Sequence, residues 1–287
     1  MSPKVSPRKE ESRSRLGGAL RLVWARGPLL FSLGVSFSVL AFGTFWIWQA
    51  VGKRVLESSQ YRLDPKQIIF NAPPEWITAD DLRNEVVRNA SLDRSLSIMD
   101  EQLTQRISLA FAAHPWVARV DRVEKFHPAR VEVRLVYRKP VASVAVEADL
   151  WPIDATGVLL PRENLSRAEL VKLPQLSGIE ARPAVRPGNL WQDMRVRGGA
   201  RIAEALADSW QELGLAEIAP YNATGSQRQP ASFRLVTRGG KHIEWGRQSL
   251  EDDPSEPTPA EKVKRLKSWV QRHGSLDGVA LKPSATR

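Results

Sequence analysis

Residues 117–139 read VARVDRVEKFHPARVEVRLVYRK, and the rest of the fold can be built around them. The second half of this stretch alternates cleanly, with Val131, Val133, Leu135 and Tyr137 on one face and Glu132, Arg134 and Arg138 on the other. Side chains of a strand point alternately to its two faces, so this is a strand with one face buried and one wet. The first half is apolar at Val117, Val120, Val123 and Phe126, a mixed period that predicts a strand carrying a bulge. His127-Pro128-Ala129 supplies the turn between them.

Upstream of this pair, Pro115 closes a segment with Leu103, Ile107, Ala110 and Phe111 at helical spacing, which predicts a helix over about 100–113. An earlier helix starts at Thr78. Its hydroxyl suits the N-cap, Asp81 stands three residues on, and Ile77 and Leu82 occupy the staple positions. Leu82, Val86 and Ala90 make its apolar stripe. A short strand is expected at 67–71, broken by Ala72-Pro73-Pro74. The order is strand, helix, helix, strand, strand.

Ahead of this module lies an uncharged run from Pro28 to Val51, PLLFSLGVSFSVLAFGTFWIWQAV. Roughly 20 apolar residues cross a bilayer as a helix. Trp24, Trp46 and Trp48 stand near its ends, where indole rings favour the headgroup level. A cleaved signal peptide is the rival reading. Its apolar region would span only about 7–15 residues, and Ala50-Val51-Gly52 is a poor cleavage site. Residues 1–27 form a Ser-, Pro- and Arg-rich tail without apolar period, expected to be disordered and cytoplasmic. Half of the chain's net charge of +10 sits in residues 1–26, so the basic balance points to membrane topology rather than nucleic acid. The expectation is a single-pass type II protein of the inner (plasma) membrane. Its amino terminus is cytoplasmic, and everything after Val51 is extracytoplasmic.

The helix ending in His114-Pro115-Trp116-Val117, the turn at Pro128, and the strand end Val136-Tyr137-Arg138-Lys139-Pro140-Val141-Ala142 resemble a POTRA module. More narrowly they are similar to the FtsQ/DivIB cell-division family, in which a "PWV" element precedes a strand pair closing on "V-x-E-R-x-P-V-A". Asp154-Ala155-Thr156-Gly157 resembles the hairpin that opens that family's second domain, and Leu173-Pro174-Gln175-Leu176-Ser177-Gly178 its "LP-x-L-x-G". The resemblance implies an α+β fold. A single transmembrane helix at 28–51 is followed by a POTRA domain at 61–140 (β-α-α-β-β). A mixed β-sheet domain with flanking helices follows at 141–283, with a short tail at 284–287. It also implies a non-enzymatic scaffold of the divisome at the septum, regulating septal peptidoglycan synthesis. Its partners would be bitopic proteins of the FtsB/FtsL type and the septal synthase complex, and no cofactor is involved.

Further along, 182–199 is rich in Pro and Gly and is expected to be a loop. Ile202, Leu206, Trp210 and Leu213 predict a helix ending at Gly214. Strands are expected at 215–219, 232–237 and 242–245, the last two joined by Arg238-Gly239-Gly240-Lys241, with polar and acidic loops at 222–230 and 251–257. Thr258-Pro259-Ala260-Glu261 is a capping box opening a helix with Val263, Leu266 and Val270 inward, and 278–282 is a last short strand.

Chemistry is hard to place on this chain. The absence of cysteine excludes disulfides, thiolate metal sites and cysteine nucleophiles. The four histidines lack metal-ligand spacing, and no nucleophile elbow is present. Peptide docking by strand addition remains, since an open sheet edge offers unpaired backbone groups. The candidate partner-binding residues are Arg130, Glu132, Arg134 and Arg138, on an expected third-strand edge, and Ile243, Trp245, Val279 and Leu281 in the carboxyl-terminal sheet. Trp245 fits a core aromatic at least as well. The alternative reading is an outer-membrane biogenesis or secretion component using its POTRA as a dock; an anchored cell-wall hydrolase would need a catalytic constellation.

Overall fold

The computed structural model describes residues 31–49, 58, 60–92, 96–221, 232–247 and 257–277. The expected tail, both ends of the apolar run, the loops at 222–230 and 251–256, and the strand at 278–282 with Val279 and Leu281 lie outside them. The chain divides into two compact units, Met1–Arg62 and Leu63–Arg287. In the first, helix α1 (Phe31–Gln49) is long and apolar enough to span a membrane, and none of its residues is buried.

The second unit is mixed α+β. Its first lobe runs β1 (Arg62–Leu63), β2 (Ile68–Phe70), α2 (Ala79–Asn89), β3 (Leu96–Ser97), α3 (Leu103–Ala112), β4 (Val117–Phe126) and β5 (Arg130–Tyr137). Thr78 caps α2 by accepting from the Asp81 amide, as its sequence predicts. Helix α3 starts three residues later than expected, because the Asp100 carboxylate accepts from the Gln102 amide and holds a turn there. The β4–β5 hairpin forms in register from Phe126↔Arg130 to Val117↔Tyr137, with irregularities at Val117/Arg119 and Val120/Arg122 that realise the predicted bulge. Strand β2 then adds parallel to β5, Ile69 beside Glu132, so the sheet order is β2-β5-β4. Val131, Val133 and Leu135 are buried together with Leu82, Val86, Leu103, Ile107 and Phe111 of the two helices. Phe70 meets Phe111 edge-on at 5.5 Å.

The second lobe carries β6 (Ala142–Val146), β7 (Asp149–Ile153), α4 (Arg167–Lys172), β8 (Gln175–Leu176), α5 (Met194–Leu206), β9 (Leu215–Tyr221), β10 (Ser232–Thr237), β11 (His242–Arg247) and α6 (Pro259–His273). Its six-stranded sheet has the order β11-β10-β9-β8-β6-β7. The β6–β8 and β8–β9 pairs are parallel, the rest antiparallel. One core joins sheet residues such as Val144, Leu176, Ile218, Phe233 and Trp245 to Ala200, Ile202, Ala203 and Leu206 of α5 and Val263 and Leu266 of α6. The capping box of α6 is complete, with reciprocal bonds between Thr258 and Glu261, and the helix stops at Gly274, whose φ is 80°.

Helix α5 departs from expectation. It begins at Met194, capped by Asp193, inside the stretch expected to be a loop, and ends at Leu206 rather than near Gly214. The pair Gly198-Gly199 reads as a breaker but sits in the helix interior. A Cβ on Gly199 would stand 2.6 Å from Leu176 Cδ1, so β8 approaches too closely for a side chain. Trp210 and Leu213 are buried all the same, in the turns that follow.

Candidate functional site

The helix-free face of the first lobe's sheet is built by the polar half of the β5 alternation. Direct cross-strand partners share a face, so Phe126 faces Arg130, Glu124 faces Glu132, and Arg122 faces Arg134. Like charges opposite one another disfavour pairing. Two rungs are compensated along their own strands: Arg122 contacts Glu124 at 2.7 Å and Arg130 contacts Glu132 at 3.1 Å. Arg130 also lies 5.0 Å over the Phe126 ring. These pairs are about half exposed, so each contributes little to stability, roughly 0–1 kcal/mol. A groove of about 330 Å³ opens here, lined among others by Ile69, Asn71, Arg122, Glu132 and Arg134.

The structure corrects the expected edge. Strand β5 is the centre of its sheet, with β2 on one side and β4 on the other, so Arg130, Glu132 and Arg134 offer side chains and not a free backbone. Among the described residues the open edge belongs to the ten-residue β4. Its bulged, mixed period was the sequence signal for this, since bulges concentrate at sheet edges. Arg119, Asp121, Arg122, Glu124 and Lys125 crowd that strand with charge, the usual guard against unwanted edge pairing. The β2 side is obstructed: Arg83 Nε donates to the Ile68 carbonyl at 3.4 Å. Asn71 extends β2 by side chain, its Oδ1 accepting from the Leu135 amide at 2.7 Å and its Nδ2 donating to the Leu135 carbonyl at 3.1 Å. Tyr137 donates its hydroxyl to the Asn71 carbonyl at 2.7 Å, and burial pushes its pKa up to about 12.

Arg138 also leaves the docking set. Its side chain is only 16% exposed and is bonded to Asp154. Ile243 and Trp245 are fully buried on the core face of β11, so as side chains neither can contact a partner. This follows from the strand period, which puts His242 and Glu244 outward when Ile243 and Trp245 point in; the register shift that skips Trp245 ends that alternation before Arg247. Strand β11 is nevertheless the end strand of its sheet among the described residues. Its outer face carries Glu244, which accepts from the Tyr221 hydroxyl at 2.7 Å.

Of the histidines, His114 is buried and structural. The Trp116 amide donates to its Nδ1 at 3.3 Å, which leaves the proton on Nε2, 3.3 Å from Glu85 Oε2. Burial lowers its pKa, opposed by Glu85. Among the described residues no group of three or more His, Asp or Glu side chains is placed to hold a metal ion. The POTRA-like signature residues fall at joints: Pro115, Trp116 and Val117 open β4, Pro128 lies in the hairpin turn, and Pro140 links the lobes. Comparison of the chain with protein-family models and with curated proteins yields no match to either.

Proposed function

We propose that this chain is a non-enzymatic, membrane-anchored docking scaffold of the bacterial division machinery, of the FtsQ/DivIB kind. Helix α1 would anchor it as a single-pass type II protein of the inner membrane. The β2-α2-α3-β4-β5 lobe would act as a POTRA module, and the second lobe as the family's β domain. The observation that carries the reading is the β4 edge: ten residues of open, charge-guarded strand on a small helix-backed sheet. Main-chain hydrogen bonds to an added strand supply affinity at such an edge, and side-chain contacts supply specificity. Strand β11 offers a second edge, suited to FtsB/FtsL-type bitopic proteins tethered to the same membrane, where a tether raises effective concentration. The septal synthase complex would be regulated through these partners.

Depletion in the native cell with a fluorescent fusion tests this. Septal localisation and filamentous or unseparated cells are expected. A uniform envelope signal with normal division overturns it. A reporter active only outside the cytoplasm, fused after Arg287, should be active; silence would reverse the topology.

A further inference from the structure

Three motifs far apart in the sequence meet at the joint between the two lobes. Pro115-Trp116 precedes β4, Arg138-Lys139-Pro140 follows β5, and Asp154–Gly157 follows β7. Arg138 Nη1 donates to Asp154 Oδ2 at 2.6 Å, and the two side chains are only 16% and 8% exposed. The other Asp154 oxygen is already committed to its own turn. Oδ1 accepts from the Thr156 amide at 2.9 Å, the Thr156 hydroxyl at 2.7 Å and the Val158 amide at 2.9 Å. The backbone is tied on each side of the crossing: Arg138 N–H donates to the Trp116 carbonyl at 2.8 Å and Val141 N–H to the Ile153 carbonyl at 2.9 Å. Trp116 Nε1 reaches across to Asn164 Oδ1 at 3.0 Å.

We propose that the Arg138–Asp154 pair is an inter-lobe latch: it fixes the angle between the two sheets, and its opening lets the lobes swing about Lys139-Pro140. A desolvated pair holds because either charge alone would be buried without a partner. The buried core of the second lobe is drawn from residue 141 onward and includes no first-lobe residue, and lobes with cores of their own can move relative to one another. One carboxylate oxygen serves the turn and the other serves the latch, so the two roles are chemically separable. Asparagine keeps a single acceptor oxygen, enough for the turn and not for Arg138 as well. The inference stands whether or not the docking role proposed above holds.

The absence of cysteine makes the test direct. Spin labels on cysteines replacing Gln105 of α3 and Lys264 of α6, both exposed, report the distance between lobes in the full chain held in lipid nanodiscs. The parent should give one narrow distance distribution. Asp154→Asn and Arg138→Met, with unchanged far-UV circular dichroism, should each give a distribution about twofold wider, as expected of a released hinge. Distributions as narrow as the parent's in both folded variants overturn the latch. If only one variant folds, the folded one decides. Loss of fold in both also overturns it, since a latch is dispensable to each lobe and a core staple is not.

Discussion

Replacing Gly199 by alanine sets two well-known effects against each other at one atom. Position 199 is in the interior of α5, and its φ is not in the left-handed region, so nothing in the backbone demands glycine. Helix propensity alone therefore predicts a gain of about 0.8–1.0 kcal/mol. The new methyl group would lie 2.6 Å and 2.8 Å from the two Cδ atoms of Leu176 and 3.2 Å from its Cγ. Leu176 is fully buried on β8, between β6 and β9. Adding a methylene to a packed core costs about 1–3 kcal/mol. The steric cost outweighs the propensity gain, and Gly199→Ala is expected to destabilise the second lobe by about 0–2 kcal/mol net. Leu176→Val in the Gly199→Ala background shortens the opposing side chain, so the pair should be less destabilised than the sum of the single changes by about 1 kcal/mol. Equilibrium urea unfolding of the full chain in nanodiscs, followed by tryptophan emission at constant m, measures all three. A Gly199→Ala protein about 1 kcal/mol more stable than the parent would refute the reasoning, since helix propensity would then act unopposed.

Two further outcomes follow from caps and burial. Thr258→Ala removes one half of the α6 capping box and should cost about 1 kcal/mol, with Thr258→Ser near neutral. It should also let the Glu261 carboxyl, now held below its usual range by bonds to Thr258, titrate closer to its ordinary value by NMR. His114 has a folded pKa below 6.5, so the unfolded chain takes up its proton first and stability falls as pH drops from 6.5 toward the folded value. His114→Gln should flatten that part of the stability–pH curve, and parallel curves for the two proteins would count against the assignment.

How legible the chain was depends on how local each signal is. Thr78 and Thr258 announce their helices because a cap is a bond between residues three apart. Strand β5 is written in period-two alternation, and a three-residue turn joins it to the bulged β4. The face of each strand can be read the same way, and Ile243 and Trp245 point inward as that alternation requires. Which strand lies at an edge is another matter. Strand β5 becomes central only because β2, about sixty residues upstream, adds to it in parallel, and no local pattern encodes that partner. Arg138 looks like one more outward arginine in its strand, yet the fold carries Asp154 to it and takes it out of any binding surface.

The apolar segment, the β5 alternation with its turn, and the starts of α2 and α6 were readable from the residues alone, because hydrogen bonds and periodicities within a few positions set them. That Gly198-Gly199 continue a helix, that the open edge belongs to β4, and that three separated motifs converge on one joint emerged with the assembled fold. Close approach, edge position and buried ion pairing are contacts between distant segments. Their energies exceed local propensity, and they exist only once the sheets have formed.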